Sequence, residues 1–225
     1  MAQVPAKAWK NYIARLRRLN NTAALKMESF LVHNDTSTDA GLKAALDYAY
    51  ALSTTYGEGA AALSCEMYDA MAMLSGVNVP PAVPAPPADY GEVAKTVQGI
   101  MKWSKLPQSI GAGVGRLVKQ AGVDTTMQNA LRDGAEWAWV PQGDTCAFCI
   151  MLASNGWQKA SRKALKNGHA EHIHSNCDCT YAVRFNEKTT VAGYDPEKYK
   201  AEYDDAEGGN WREKLNSLRR ELGED

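Results

Sequence analysis

Four of the five cysteines and three of the four histidines in this chain fall between Cys146 and Cys179. Apart from His169, their order is Cys146-x2-Cys149, then His172-x-His174-x2-Cys177-x-Cys179. Thiolates and imidazoles are the ligands of tetrahedral zinc, and a C-x2-C pair presents two sulfurs to one ion on a tight turn. Cys177 and Cys179 lie two apart on a predicted strand, so both point to one face. His174 stands just before them. Five candidates thus compete for four positions: Cys146, Cys149, Cys177, and either Cys179 or His174. If His174 is left out, its role is to orient a ligand from behind. Four protein ligands leave no position for a catalytic water, so the zinc is expected to be structural and the chain not an enzyme. Binding free energy on the order of 10–16 kcal/mol in small zinc-finger peptides is also folding free energy. Residues 136–185 carry few core residues and would need it. His169 and His172 read as surface histidines of a polar loop. Cys65 sits in an apolar helical stripe and reads as core.

Other chemistries fit the same residues less well. Glu171-His172-Ile173-His174 below a C-x2-C resembles the acid-histidine-isoleucine step of HNH nucleases, where a histidine activates water beside a metal. The second C-x2-C and the asparagine-histidine expected downstream are missing, and Cys177-x-Cys179 arrives too early to replace them. A redox C-x2-C would need a surrounding βαβ framework, which is absent. A papain-like cysteine-histidine pair would need a nucleophile at a helix start beside an oxyanion hole, and nothing marks one. Between the cysteine pairs lie Lys159, Arg162, Lys163 and Lys166, with no acid in 157–170. On a short helix over 159–166 they would form a basic face for nucleic acid or an acidic partner. A solvated loop is the plainer reading, since no interleaved aromatics offer a stacking platform.

The elements that must position these groups follow from periodicity. Trp9, Tyr12, Ile13, Leu16, Leu19, Ala23, Met27, Phe30 and Leu31 recur at helical steps over 5–33, with Pro5 suited to the first turn. Thr38 or Asp39 caps a second helix, with Leu42, Leu46, Ala49, Leu52, Tyr56, Ala60, Leu63, Met67, Met71 and Leu74 on one stripe. Gly57 and Gly59 mark a point where it could bend. The pair reads as a long antiparallel hairpin over 1–77. Five prolines between Val79 and Pro87 make 78–88 an extended linker or crossing arm. Asp89 caps a third helix over about 90–104. A fourth is expected over about 108–121 and a fifth, capped by Asp124, over 125–135, so 89–135 is a region of short helices. Glu136 to Pro141 reads as a strand, Cys146 to Ala153 as helical turns and Cys177 to Phe185 as a second strand, the two able to pair beside the cysteines. This α+β module spans 136–185, with Trp137, Trp139, Trp157 and Phe148 expected around the metal. A polar tail, 186–225, holds two short helices over 196–205 and 210–222. The fold class is mostly α, a long helical region with a small α+β zinc module near the C-terminus.

The chain has 225 residues, a net charge of -1 and 23% charged residues. Those totals do not indicate a strongly basic nucleic-acid binder. Charge is uneven: Lys7, Lys10, Arg15, Arg17 and Arg18 open the chain without an acid, and ten acids face six bases from Asp195 onward. Two solvated helix faces or two contact surfaces explain this equally well. No apolar segment follows the basic start, so no secretory signal is expected, and no run of 18 apolar residues could cross a membrane. Synthesis in a reducing cytoplasm favours metal ligation over disulfides.

Trp139-Val140-Pro141-Gln142-Gly143-Asp144-Thr145-Cys146-Ala147-Phe148-Cys149, followed by His174-Ser175-Asn176-Cys177-Asp178-Cys179, resembles the phage Mu F-like minor head proteins. Residues 136–185 carry the resemblance; Thr55-Tyr56-Gly57-Glu58-Gly59 and Ser64-Cys65-Glu66-Met67-Tyr68 fit its plan more loosely. The resemblance implies a minor capsid component of a tailed phage or prophage, inside the capsid near the portal. The implied partners are the portal and major capsid proteins, and the implied roles are head assembly, DNA packaging or delivery. It implies no catalytic residues. Its cysteine and histidine positions fall on Cys146, Cys149, His174, Cys177 and Cys179. About 40 residues follow the module, too few for the protease or toxin domain of some relatives, so the plain structural form is expected.

Overall fold

A computed structural model of the chain describes residues 2–142, 145–166, 169–170 and 179–224. Within them the protein is mostly helical, with seven α-helices and a small amount of sheet. Capping chemistry sets the helix boundaries. Strand β1 (Ala2–Val4) stops at Pro5, and α1 (Ala6–His33) starts on the next residue. Helix α2 (Asp39–Ser75) opens where the Thr38 hydroxyl accepts the Gly41 N–H at 3.1 Å, and closes at Gly76, whose φ of +66° suits glycine. It runs unbroken through Gly57 and Gly59. Helix α3 (Tyr90–Met101) begins with a capping box: Asp89 accepts the Glu92 N–H at 2.8 Å, and Glu92 accepts the Asp89 N–H at 3.1 Å.

The next element departs from the expected pair of short helices. Residues Pro107–Asp133 form one helix, α4. Asp124 therefore does not cap a helix; it lies inside one, with its side chain buried. The glycines that read as breakers are sites of close approach. A Cβ at Gly111 would stand 2.7 Å from the Ala24 carbonyl oxygen of α1, and one at Gly122 would stand 3.3 Å from the Ala60 carbonyl oxygen of α2. Both flanking helices can thus lie against α4, and α1, α2 and α4 make the most extensive packing in the molecule. The α1–α2 hairpin clasps a third long helix, and Met27, Tyr68, Met71, Val114, Val118 and Met127 fill the space between.

The proline-rich segment is a crossing arm. Ala82 N–H donates to Asp69 at 2.8 Å, Val83 N–H to Asn129 at 2.9 Å and Ala85 N–H to Thr125 at 2.9 Å. Arg132 donates to the carbonyls of Pro80 and Pro81. Side chains of α2 and α4 satisfy backbone groups that no ladder could pair.

Strand β2 (Glu136–Val140) pairs antiparallel with β6 (Thr180–Arg184) as expected, with Trp139 opposite Tyr181 and Val140 opposite Thr180. Helix α5 (Ala147–Ala153) follows Cys146. Residues 159–166 are not a helix. A short strand β3 (Gln158–Lys159) pairs with the other edge of β2, and a single 3-10 turn (Arg162–Ala164) leads into a small hairpin. Its strands are β4 (Leu165–Lys166) and β5 (His169–Ala170). Strand β7 (Thr189–Val191) pairs in parallel with β1, joining the first strand to the segment after β6. Helices α6 (Pro196–Asp205) and α7 (Trp211–Leu222) occupy the expected spans. Leu215 and Leu218 of α7 and Ala206 pack on Ala147 and Ile150 of α5, so the tail lies on the module.

Candidate metal centre

The fold brings Cys146, Cys149 and Cys179 to one end of the sheet. β2 ends at Val140 and leads through a short segment to Cys146; β6 begins at Thr180, opposite Val140, directly after Cys179. Cys146 occupies the N-cap position of α5, and Cys149 lies one turn on. Cys149 and Cys179 are buried within the main core, with Cys146 packed against it. All three carry thiols, not disulfides. Tyr199 of α6 ties the two sides together: burial first, then the charges of Glu202 and Cys179, push its phenol above the ordinary range, while a hydrogen bond with Thr145 acts against them.

The buried Cys149 and Cys179 and the half-buried Cys146 are soft sulfur donors of the kind zinc takes. Among the described residues, no group of three or more histidine, cysteine, aspartate or glutamate side chains stands ready to hold a metal. His172, His174 and Cys177 lie outside the described residues. Cys65 is half-buried in α2, not core.

Trp137 and Trp139 are buried; Trp139 is 1% exposed. Both pack on Tyr181, Trp137 tilted with centroids 4.5 Å apart and Trp139 edge-on at 4.8 Å. Trp157 meets Tyr194 edge-on at 5.6 Å and carries the Arg184 guanidinium over its ring. Phe148 packs toward the α6–α7 tail with Tyr203. Glu224, two residues past α7, accepts the Ala147 N–H at 3.0 Å, placing a carboxylate on the positive end of α5.

His169 is not a surface histidine. Its Nδ1 lies 2.6 Å from Asp124 Oδ2, and its Nε2 lies 2.6 Å from Glu92 Oε1. The Ala170 N–H and Gln120 Nε2 donate to the other Asp124 oxygen at 2.6 and 2.8 Å. Nothing in the sequence pairs these residues; only the Asp89-x2-Glu92 capping signature marks one of them.

A cavity of about 280 Å³ between α1 and α4 is lined by Arg17, Asn20, Arg116, Lys119 and Cys179. The Lys119 ammonium stands 5.7 Å from the centroid of the Trp139 ring. Lys159, Arg162 and Lys163 are exposed on the β3 strand and the 3-10 turn, not on one helix face. The Lys166 side chain lies outside the described set. No described helix is long and apolar enough to cross a membrane.

Neither a curated protein nor a solved structure matches the chain. A family model described as VG15 protein matches residues 3–206, from β1 through α6. The chain therefore belongs to the VG15 protein family, a membership that suggests a phage protein.

Proposed function

We propose that this chain is a minor head protein of a tailed phage or prophage, stabilised by a structural zinc and without catalytic activity. The zinc would be held by Cys146, Cys149, Cys177 and either Cys179 or His174. It would supply folding free energy to the module and no Lewis-acid chemistry, since its coordination would be filled by protein. One observation carries the reading: the β2–β6 register puts Cys146, Cys149 and Cys179 at one sheet end as thiols. Membership of a phage-related family and the likeness of 136–185 to Mu F-like proteins support the virion role. The proposed partners are the portal or major capsid protein inside the capsid. Exposed Lys159, Arg162 and Lys163, together with Lys166, are the proposed contact to packaged DNA.

The test is metal content by plasma mass spectrometry on the purified chain and on Cys149→Ser. The expected result is about one zinc per chain, lost in the variant. A metal-free protein made with zinc available overturns the zinc and leaves the cysteines as buried thiols. Metal-dependent nicking of plasmid DNA, abolished by His172→Ala, would replace the structural reading with a nuclease.

A further inference from the structure

The hairpin of β4 and β5 hangs on the helical body through His169 and Asp124. A neutral imidazole has one N–H and could serve only one of the two carboxylates on its nitrogens. An imidazolium serves both. Asp124 is held from three directions, by His169, by the Ala170 N–H and by Gln120, which also donates to the Ala170 carbonyl at 2.9 Å. Glu92 is fixed by its own capping box. The carboxylates take opposite nitrogens, so the three groups cannot converge on one metal ion.

In sequence, Ala170 is followed by 171–178, the segment that holds His174 and Cys177, and then by Cys179 and β6. One end of that segment is fixed by sheet pairing at Thr180. The other is fixed by the His169 cluster. We infer that His169 is a positioning residue: as an imidazolium bridging Asp124 and Glu92 it clamps the 165–170 hairpin to α3 and α4 and sets the starting point of the ligand-bearing segment. The role of that segment rests on the zinc reading above; the clamp itself does not.

The clamp responds to pH. Burial acts to lower the His169 pKa, but the hydrogen bond and charge of Asp124, and then those of Glu92, outweigh it and raise the pKa above its ordinary value of about 6.5. A raised folded-state pKa contributes stability that is complete below the unfolded value and lost as pH rises through the folded one. On the acid side Asp124, whose own pKa burial raises, takes up a proton and ends the bridge. Among the described side chains the other charged groups lining the same groove are Lys95 on α3 and Arg116 on α4, and Lys166 is the strand partner of His169. Arg116 donates to Thr96 at 3.4 Å.

The experiment compares the full-length wild type with His169→Gln, His169→Arg and Glu92→Gln. Hydrogen exchange at Ala170 is followed from about pH 6 to 9, corrected for intrinsic rates. Zinc release to a chelator is followed alongside. Protection should fall with rising pH in wild type, be lost throughout in His169→Gln, and persist throughout in His169→Arg, which keeps a cation between the carboxylates. Glu92→Gln retains the capping box while removing one charge, so it loosens the hairpin in a folded helix. Zinc should leave His169→Gln about 10-fold faster than wild type. Wild-type protection in both neutral variants overturns the clamp. Loss of protection with unchanged zinc release overturns the positioning role. A wild type without zinc removes the metal reading, and the exchange data still decide the clamp.

Discussion

The helical body and the cysteine-histidine module are stabilised on different terms. The body has three helices of 27 to 37 residues, each burying a long stripe against the others. The described residues of the module between 136 and 185 form two five-residue strands, a seven-residue helix and pieces of two or three residues. Elements that short are marginal alone. Yet among the described residues most of the module's buried apolar side chains share the core of the body, and only Ala147 and Ile150 pack apart from it, against the tail. Trp139, Tyr181, Val183, Cys149 and Cys179 belong to the same buried cluster as Val118, Val123 and Met127 of α4. The sheet leans on α4, while among the described residues His169, Asp124, Gln120, Tyr199 and Glu224 make polar ties beside the segments that would carry ligands. Sharing a core substitutes for size where the sheet touches the body. Specific polar contacts, and on the proposed reading a metal, must do so elsewhere.

The sharpest test of that contrast is zinc removal. Chelation or Cys149→Ser should cost on the order of 10 kcal/mol of module stability. The loss should appear in the tryptophan signal of 137, 139 and 157, with the far-ultraviolet helical signal of the body largely kept. Simultaneous loss of both signals would merge the two regions into one unit. Met127→Ala comes next. The side chain is fully buried at the junction of body and sheet, and its truncation should cost about 2–5 kcal/mol in denaturant unfolding. Both regions should report that loss together, because they share this core. Gly111→Ala should destabilise by about 1–3 kcal/mol despite the better helix propensity of alanine, since the new methyl meets the Ala24 backbone. A gain in Tm instead would show that α1 can move away. Smallest is Glu224→Gln: losing the negative charge on the α5 N-terminus should cost about 0.5–1 kcal/mol, seen as faster exchange at Ala147 with the body unchanged.

Much of the body could be read along the chain. The stripe from Trp9 to Met27 gave α1, Thr38 and Gly76 bounded α2, and Asp89 with Glu92 started α3, because each signal is local. The two module strands and the tail helices were legible for the same reason. Helix α4 was not. Its glycines read as breaks and Asp124 as a cap, yet the glycines allow two neighbouring helices to approach, and Asp124, Gln120, Thr125 and Asn129 are buried with partners 40 or more residues away. A central helix contacted on several sides loses the apolar-polar alternation that periodicity detects. The basic run at 159–166 was legible as charge but not as shape, since two- and three-residue elements take their form from the strands beside them.

The sequence by itself determined the helical content, the cysteine and histidine spacing that makes zinc the proposed ligand, and the edges of most elements. Each of these is fixed by residues a few positions apart. Tertiary structure alone decided that α4 is continuous, that Cys149 and Cys179 come to one end of a sheet, and that His169 sits between Asp124 and Glu92. Those outcomes depend on strand register and helix packing, which join residues 30 to 77 positions apart and follow from how the whole core fills space.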